Sequence, residues 1–517
     1  MKPGGRKLTG VSEYDLNISS FFDDLIYKDE DELPVFRLFI DGEWQDGNGE
    51  RIEVITPFDG GHFAYLGTAS LNQAGHAVDA AKENQKRIRE LAGIERVEIL
   101  QEARHILLER EEEMARALML EGGKTRDDAI GEIRSLASRM SLTMEDARKI
   151  FGEYMPGDWS KDTSKKMALV IREPVGVVLA IGPFNYPLYI PGSKIIPALL
   201  AGNSVIVKPA TETPISTILF TQILNAAGVP KGTVSVINGP GSTVGKALAS
   251  NQDVSMISFT GSTGGGNSIV SVAGIKKLHL ELGGKAYAIV LSDADIDLAA
   301  KKIVDGSFRN AGQRCDAISA VLTVKKVSKQ LTERILNYGK EYRLGDPLKD
   351  DGVKVGPLVN EDAAVRVKAL IEDALKKGAS LLMGGKVRDC YVEPTILGDV
   401  PVSARILWEE TFGPVIPIHA VKDREEAIAV SLQSKYGLDS CIFSNNFYDI
   451  WRVSKSLSVG EVTVNDMPRH GIGYFPFGGT RSSGTGREGV GFSIDEMTNL
   501  KTIVFNLEPG AMGKKVF

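Results

Sequence analysis

The chain has 517 residues, 43% of them hydrophobic and 25% charged, with a formal net charge of -6. That length exceeds one ordinary core and predicts two or three domains. The mild acidity offers no basic field for nucleic acid or an anionic membrane, no apolar run approaches the roughly 18 residues that span a bilayer, and three scattered cysteines with six histidines form neither a disulfide framework nor a metal motif.

The opening MKPGGRKLTGVSEYDL has no apolar signal core, so a cytoplasmic protein is expected. Residues 1–33 are polar, turn acidic at FFDDLIYKDEDEL, and read as an arm or a loose first helix. RLFIDGEWQDGNGERIEVITP alternates like paired strands, broken by DG and GNG turns, and reads as a hairpin. Residues 72–149 place Ala, Leu, Glu and Arg at helical spacing, and most of those charges read as solvated faces. From residue 166 the texture changes to short β-branched runs, each followed by Gly, Pro or Asn and then a helical pattern. The runs are VGVVLAIG, SVIVKP, VSVING, SMISFTG and AYAIVL; a second series follows with SAVLTV, LLMGG, SCIFS and EVTVN. Buried parallel strands alternating with helices predict an α/β fold of two consecutive doubly wound domains. KKMALVIREP and LKTIVFNL flank this body as strands that need an edge to pair with, which is often where subunits join.

Four places carry chemistry. SFTGSTGGGNSIV runs a strand into a glycine-rich turn and a helix, presenting backbone N–H groups and a positive helix end to a phosphate. INGPGSTVG, with Gly239, Gly241 and Gly245, repeats the pattern, and Lys208 stands at the carboxyl end of SVIVKP, where a nucleotide crevice would lie. Taken singly, each turn is equally a tight strand-to-helix connection. PFNYP puts Asn185 at a strand end, facing a crevice or closing an Asx turn before proline. LELGGK puts Glu281 at the end of an apolar segment, either as a base with a raised pKa or as an ordinary paired glutamate. GQRC sets Arg314 beside Cys315, where a guanidinium would favour thiolate over an inert thiol.

PFNYP, KPATETP, FTGSTGGG, LELGGK, GQRC, EETFGPV and FPFGGTRSSGTG occur in the order and spacing of the aldehyde dehydrogenase superfamily, which the chain resembles over about residues 35–508. The resemblance implies a cofactor-binding domain (1–149 and 172–283), a catalytic domain (284–491), and an oligomerisation arm with a C-terminal tail (150–171 and 492–517). It implies that Cys315 is the nucleophile, that Asn185 and the Cys315 N–H hold the oxyanion, and that Glu281 activates water. Lys208 and Thr211 would meet the adenine ribose, Ser262 would contact the pyrophosphate, and Gly241, Gly245, Phe259 and Gly261 would also bind the cofactor. Glu410 would hold the nicotinamide ribose, with Phe412 beside it. The cofactors implied are NADP and NAD, no metal is expected, and the assembly implied is a homotetramer.

Two departures sharpen the expectation. Thr211 stands three positions after Lys208, where many NAD-preferring relatives carry an acid that would repel a 2′-phosphate. A one-residue shift of the turn would restore a carboxylate from Glu212. Arg314, Arg469, Tyr186 and Arg134 together are similar to the phosphate-recognition group of the non-phosphorylating glyceraldehyde-3-phosphate dehydrogenases, as is SKKMALVIREPVG. Guanidinium groups bind phosphate by paired, charge-assisted hydrogen bonds. Arg314 would then both lower the thiol pKa and grip substrate, whereas Arg134 equally fits a surface ion pair. The resemblance implies irreversible oxidation of D-glyceraldehyde 3-phosphate to 3-phosphoglycerate in glycolysis, with a semialdehyde of the succinic type or a general aldehyde as the alternative substrate. A CoA-acylating enzyme is disfavoured by Glu281, and a catalytically dead binding protein by intact Cys315, Asn185 and Glu281.

Overall fold

Residues 10–29 and 31–508 are described in the computed structural model. Five parallel strands form the centre of an eight-stranded sheet, in the order Lys277–Glu281, Val254–Thr260, Val177–Ile181, Ser204–Lys208 and Val234–Val236. Antiparallel strands close its two edges: Gly484–Thr485 on one side, Leu38–Ile40 with Glu43–Gln45 on the other. Alternation along Val177–Ile181 sends Val177, Leu179 and Ile181 into one core and Val178 and Ala180 into another. A strand buried on both faces therefore reads as a continuous apolar run rather than an alternating one. The chain builds outward from Val177–Ile181 in one direction, then returns to build in the other. That reversal leaves a crevice at the carboxyl ends of the strands, which is where ligands bind in such sheets.

The second sheet has seven strands: Ser380–Met383, Thr395–Gly398, Val415–Val421, Ile318–Val324, Ala286–Val290, Asp439–Phe443 and Glu461–Val464. All but the first pair in parallel. AYAIVL is thus an interior strand of this sheet, between Ile318–Val324 and Asp439–Phe443, rather than the last of the first series. Composition cannot separate two sheets that share a register of apolar runs.

Two other expectations change. The DG turn does make a hairpin, with Asp41 and Gly42 both at positive φ (53° and 79°), as a tight two-residue turn demands. After the GNG segment, however, Ile52–Ile55 leaves to pair with His62–Leu66 in a separate four-stranded sheet. The described part of residues 1–33 is not a loose arm: Ser20–Leu25 is a short 3-10 helix whose Phe22 and Leu25 are fully buried. Residues 1–9 lie outside the described residues.

Two helix charges that read as solvated are buried caps. Glu132 accepts from the N–H groups of Leu188 and Tyr189 and pairs with Lys124 at 2.8 Å, fixing the start of the helix that follows PFNYP. Glu121 does the same for Ile215 and Ser216 after KPATETP. A carboxylate at a helix N-terminus satisfies orphan donors and complements the dipole.

Glu153–Pro156, Lys166–Pro174 and Thr498–Asn506 form a third, antiparallel sheet standing off the body. It exposes Tyr154, Met155, Leu500 and Val504, with Trp159 in the turn between its first two strands. Residues 509–517 of the expected tail lie outside the described residues.

Candidate active site

A cavity of about 1030 Å³ opens between the carboxyl edge of the first sheet and the amino edge of the second. Asn185, Ser262 and Glu281 follow strands of the first; Cys315 precedes Ile318–Val324, and Glu410 and Phe412 precede Val415–Val421 of the second. Motifs far apart in sequence meet there because both sheets are mostly parallel and present one edge each.

The GQRC loop is held under tension. Asn310, Ala311 and Gly312 all have positive φ (50°, 53° and 71°), a conformation that costs non-glycine residues energy and survives only where the surroundings enforce it. A side chain at Gly312 would overlap the Gly413 carbonyl. The Gln313 side chain accepts from Val359 N–H at 2.9 Å, and Asn310 donates to the carbonyls of Asn185 and Gln313. Asn185 donates to the Gln313 carbonyl at 2.9 Å, so its amide lies against the loop that carries Cys315 instead of closing an Asx turn.

Arg314 pulls the thiol pKa down, as its sequence position implied, but it is outweighed. Its guanidinium pairs with Asp316 at 3.0 Å and reaches the Pro468 carbonyl. Burial pushes the Cys315 thiol well up; Asp316, Asp439 and Glu281 add to this, and Arg314 offsets only part. Alkylation of Cys315 by iodoacetamide, followed by peptide mass, should therefore be slow at neutral pH and still rise above about pH 8.5, the pKa of an ordinary thiol. A rate that levels off below that pH would contradict the assignment.

Glu281 is buried, and burial pushes its carboxyl up to about 7, with His279 pulling the other way. A base of that pKa is ionised for half of its population near neutrality. Among the described residues neither of its carboxylate oxygens has a hydrogen-bond partner.

The glycines of LELGGK make room for a second carboxylate. Gly284 N–H donates to Glu410 at 3.0 Å, and a side chain at Gly283 would come within 2.6 Å of the same carboxylate. Arg366, also on the cavity wall, holds the backbone of Glu410 and Thr411. Phe184 of PFNYP and Phe412 of EETFGPV meet edge to face at 5.7 Å.

Phe259, Gly261 and Ser262 line the cavity, and Ser262 caps the helix Thr263–Ala273 by accepting from Gly265 N–H. Lys208, Gly241 and Gly245 do not line the cavity, and Gly245 packs against the Lys208 side chain; Lys208 is buried, bonds the Pro209 carbonyl at 2.9 Å and is pushed down to about 8 by burial, against the pull of Glu212. In the KPATETP turn, Ala210 and Glu212 line the cavity and Thr211 stands between them.

Tyr186 and Arg469 line the cavity, with Lys124 over the Tyr186 ring at 4.1 Å. Arg134 does not. The helix Arg126–Ala147 turns Asp128, Gly131, Glu132 and Ser135 to the cavity at helical spacing, which leaves Arg134 on the outer face in a two-point pair with Glu111 (2.7 and 2.9 Å). Arg309, Asp316 and His470 are among the wall residues not singled out from sequence. Asp316 accepts from His470 N–H at 2.9 Å, tying the nucleophile loop to the NDMPRHG loop. Only the adjacency of Arg309 to GQRC could have flagged it.

The residues suit a dinucleotide: a long cavity holds a glycine-rich helix N-terminus on one wall and an anchored carboxylate, Glu410, on another. Among the described residues no group of three ligating side chains could hold a metal, and no helix is long and apolar enough to cross a membrane.

A fold of two parallel sheets with cysteine, asparagine and glutamate converging at their junction matches one family throughout. The aldehyde dehydrogenase family model covers residues 44–503. The chain belongs to the aldehyde dehydrogenase family, and is therefore an oxidoreductase. It is 38% identical over 91% of its length to the NADP-dependent glyceraldehyde-3-phosphate dehydrogenase of Streptococcus equinus, covering 99% of that protein. It is 36% identical to the NADP-dependent succinate-semialdehyde dehydrogenase of Escherichia coli, over 90% of this chain and 97% of the other. Its structure superposes with a TM-score of 0.89 on the NADP-dependent glyceraldehyde-3-phosphate dehydrogenase of Bacillus halodurans in complex with NADP, at 40% identity, covering 91% of this chain and 99% of that one.

Proposed function

We propose that this enzyme oxidises D-glyceraldehyde 3-phosphate irreversibly to 3-phosphoglycerate, with NADP or NAD and with water, not inorganic phosphate, as acyl acceptor. The observation that carries the reading is Arg314. It is buried on the cavity wall beside Cys315, and its Nη1 has no hydrogen-bond partner among the described residues. A buried guanidinium nitrogen without a partner is costly and leaves a donor for an acceptor oxygen of a bound substrate. Arg469 and Arg309 stand half-exposed on the same wall.

In this reading Cys315 Sγ attacks the aldehyde carbon, and Asn185 with the Cys315 N–H holds the oxyanion. Ser262 and Gly261 would hold the pyrophosphate, Glu410 the nicotinamide ribose, and Lys208 with Glu212 the adenine ribose. The bound nicotinamide supplies the hydride acceptor. Glu281 takes a proton from the water that hydrolyses the acyl group from Cys315. The first sheet with its helices forms the cofactor-binding domain, the second the catalytic domain, and the exposed third sheet the arm of a homotetramer.

Arg314→Leu removes the Asp316 ion pair for every substrate alike, so only selectivity tests the phosphate role. We expect kcat/KM for glyceraldehyde 3-phosphate to fall roughly ten- to a hundredfold more than for glyceraldehyde, the usual loss for one charged hydrogen-bond partner. Arg469→Leu should act in the same sense. Equal losses on both aldehydes would reject the phosphate site. The similarity to a succinate-semialdehyde dehydrogenase keeps a carboxylate-bearing aldehyde as the second reading, since the same arginines would bind it, and kinetics on both compounds separate the two.

Glu212 on the wall speaks for use of NAD beside NADP, because a carboxylate there bonds ribose hydroxyls and repels a 2′-phosphate. Glu212→Gln should raise the ratio of NADP to NAD efficiency. An unchanged or lowered ratio would remove Glu212 from the adenine-ribose site.

A further inference from the structure

The buried base Glu281 has a charged neighbour that the reaction as described does not use. His279 lies two residues earlier on the strand Lys277–Glu281, so both side chains leave the same face. His279 Nε2 is 3.3 Å from Glu281 Oε1, close enough for an ion pair though not aligned as a hydrogen bond. On the other side, His279 Nδ1 bonds Glu496 of the short helix Phe492–Glu496. Glu496 is itself fixed, because its second oxygen accepts from Arg487 N–H at 2.8 Å. Gly486, at φ 92°, leaves the space: a side chain there would sit 2.9 Å from Glu496 and 3.0 Å from His279 Nδ1. The side chains of His279 and Glu281 are almost wholly buried, whereas that of Glu496 is 30% exposed.

We propose that His279, clamped by Glu496, is a positioning residue that supplies the counter-charge by which the buried Glu281 ionises near neutral pH. This rests on the reading of Glu281 as the deacylating base. A carboxylate taken out of water protonates unless a positive charge stands within a few ångströms. An imidazole taken out of water loses its own charge unless a carboxylate holds it. Burial disfavours the charge on His279, but Glu281 and Glu496 outweigh it and raise the imidazole to about 9. Glu496 thus acts on Glu281 through the ring, from the rim of the site. The other charges facing this group nearly cancel: Lys194 of the helix Tyr189–Leu200 and Glu488 ahead of the helix Phe492–Glu496 pair with each other at 3.5 Å. Lys277 turns away to the carbonyls of Glu496 and Thr498.

Deacylation can be followed without aldehyde or cofactor. p-Nitrophenyl acetate acetylates Cys315 with release of p-nitrophenolate, and water then hydrolyses the acetyl-enzyme. The burst counts folded sites, and the slow phase reports deacylation as a function of pH. In His279→Gln the burst should persist while the pH of half-maximal deacylation moves up by about 1–3 units, the usual effect of one nearby opposite charge. Glu496→Gln should move it in the same direction by less. A pH midpoint that stays put, or falls, in both variants overturns the proposal. If His279→Gln gives no burst, Glu496→Gln decides alone: an upward shift supports the clamp and an unmoved midpoint overturns it. Glu281→Gln separates the two levels. Fast deacylation there removes Glu281 as base, and the clamp with it. Loss of deacylation there, with unmoved midpoints in the other two variants, overturns the clamp and leaves the base standing.

Discussion

Cys315→Ala is expected to reduce turnover by roughly 10⁴-fold or more while NADP still binds, since removal of a covalent nucleophile leaves only binding and oxyanion contributions. Two features single out this cysteine. It lines the cavity, whereas Cys390 and Cys441 are buried away from it. Its loop also stores three consecutive left-handed residues, held by Gln313, Asn310 and Asn185. The chain would not maintain such a conformation without something to aim. Steady-state rates with glyceraldehyde 3-phosphate, set against a fluorescence titration with NADP, make the comparison. An alanine variant that turns over within about tenfold of the parent would dismiss Cys315 as nucleophile, since general losses of that size follow from packing alone.

Glu281→Gln should separate the two halves of the reaction. Attack by Cys315 needs Asn185 and the thiol, whereas release of the acyl group needs a base, and general base catalysis contributes about 10²–10⁴-fold. We expect a single-turnover burst of reduced cofactor followed by turnover slowed by that factor. In the parent, deacylation should weaken as pH falls through about 7, where the buried carboxyl takes up its proton. Loss of the burst together with turnover would place Glu281 earlier in the cycle or in the folding of the loop.

Residues whose role is set by local backbone pattern were legible in the sequence. Asn185, Glu281 and Glu410 end strands or precede them, and glycines mark the close approaches around them. Residues whose role depends on which way a helix or turn faces were not. Arg134 misses the cavity by a fraction of a helical turn, since Gly131 and Ser135 take the inward face. Glu212 joins the cavity wall beside Thr211 because a turn after a strand can present either of two neighbours. Partners distant in sequence were also invisible. Asp439, from a strand more than a hundred residues on, raises the thiol that Arg314 was expected to lower. Glu121 and Glu132 sit in helices whose charges are mostly solvated, yet each is buried as a cap for a turn of the site. No local pattern distinguishes a capping carboxylate from a surface one when its partner helix begins more than fifty residues away.

The measurement that bears most directly on the central claim is a spectrophotometric assay of purified enzyme with D-glyceraldehyde 3-phosphate, NADP and NAD, run with and without inorganic phosphate and with product identified. The account predicts reduced cofactor and 3-phosphoglycerate in equal amounts, an unchanged rate without inorganic phosphate, and lower efficiency with succinic semialdehyde and unphosphorylated glyceraldehyde. Dependence on inorganic phosphate, or higher efficiency with either competing aldehyde, would contradict it.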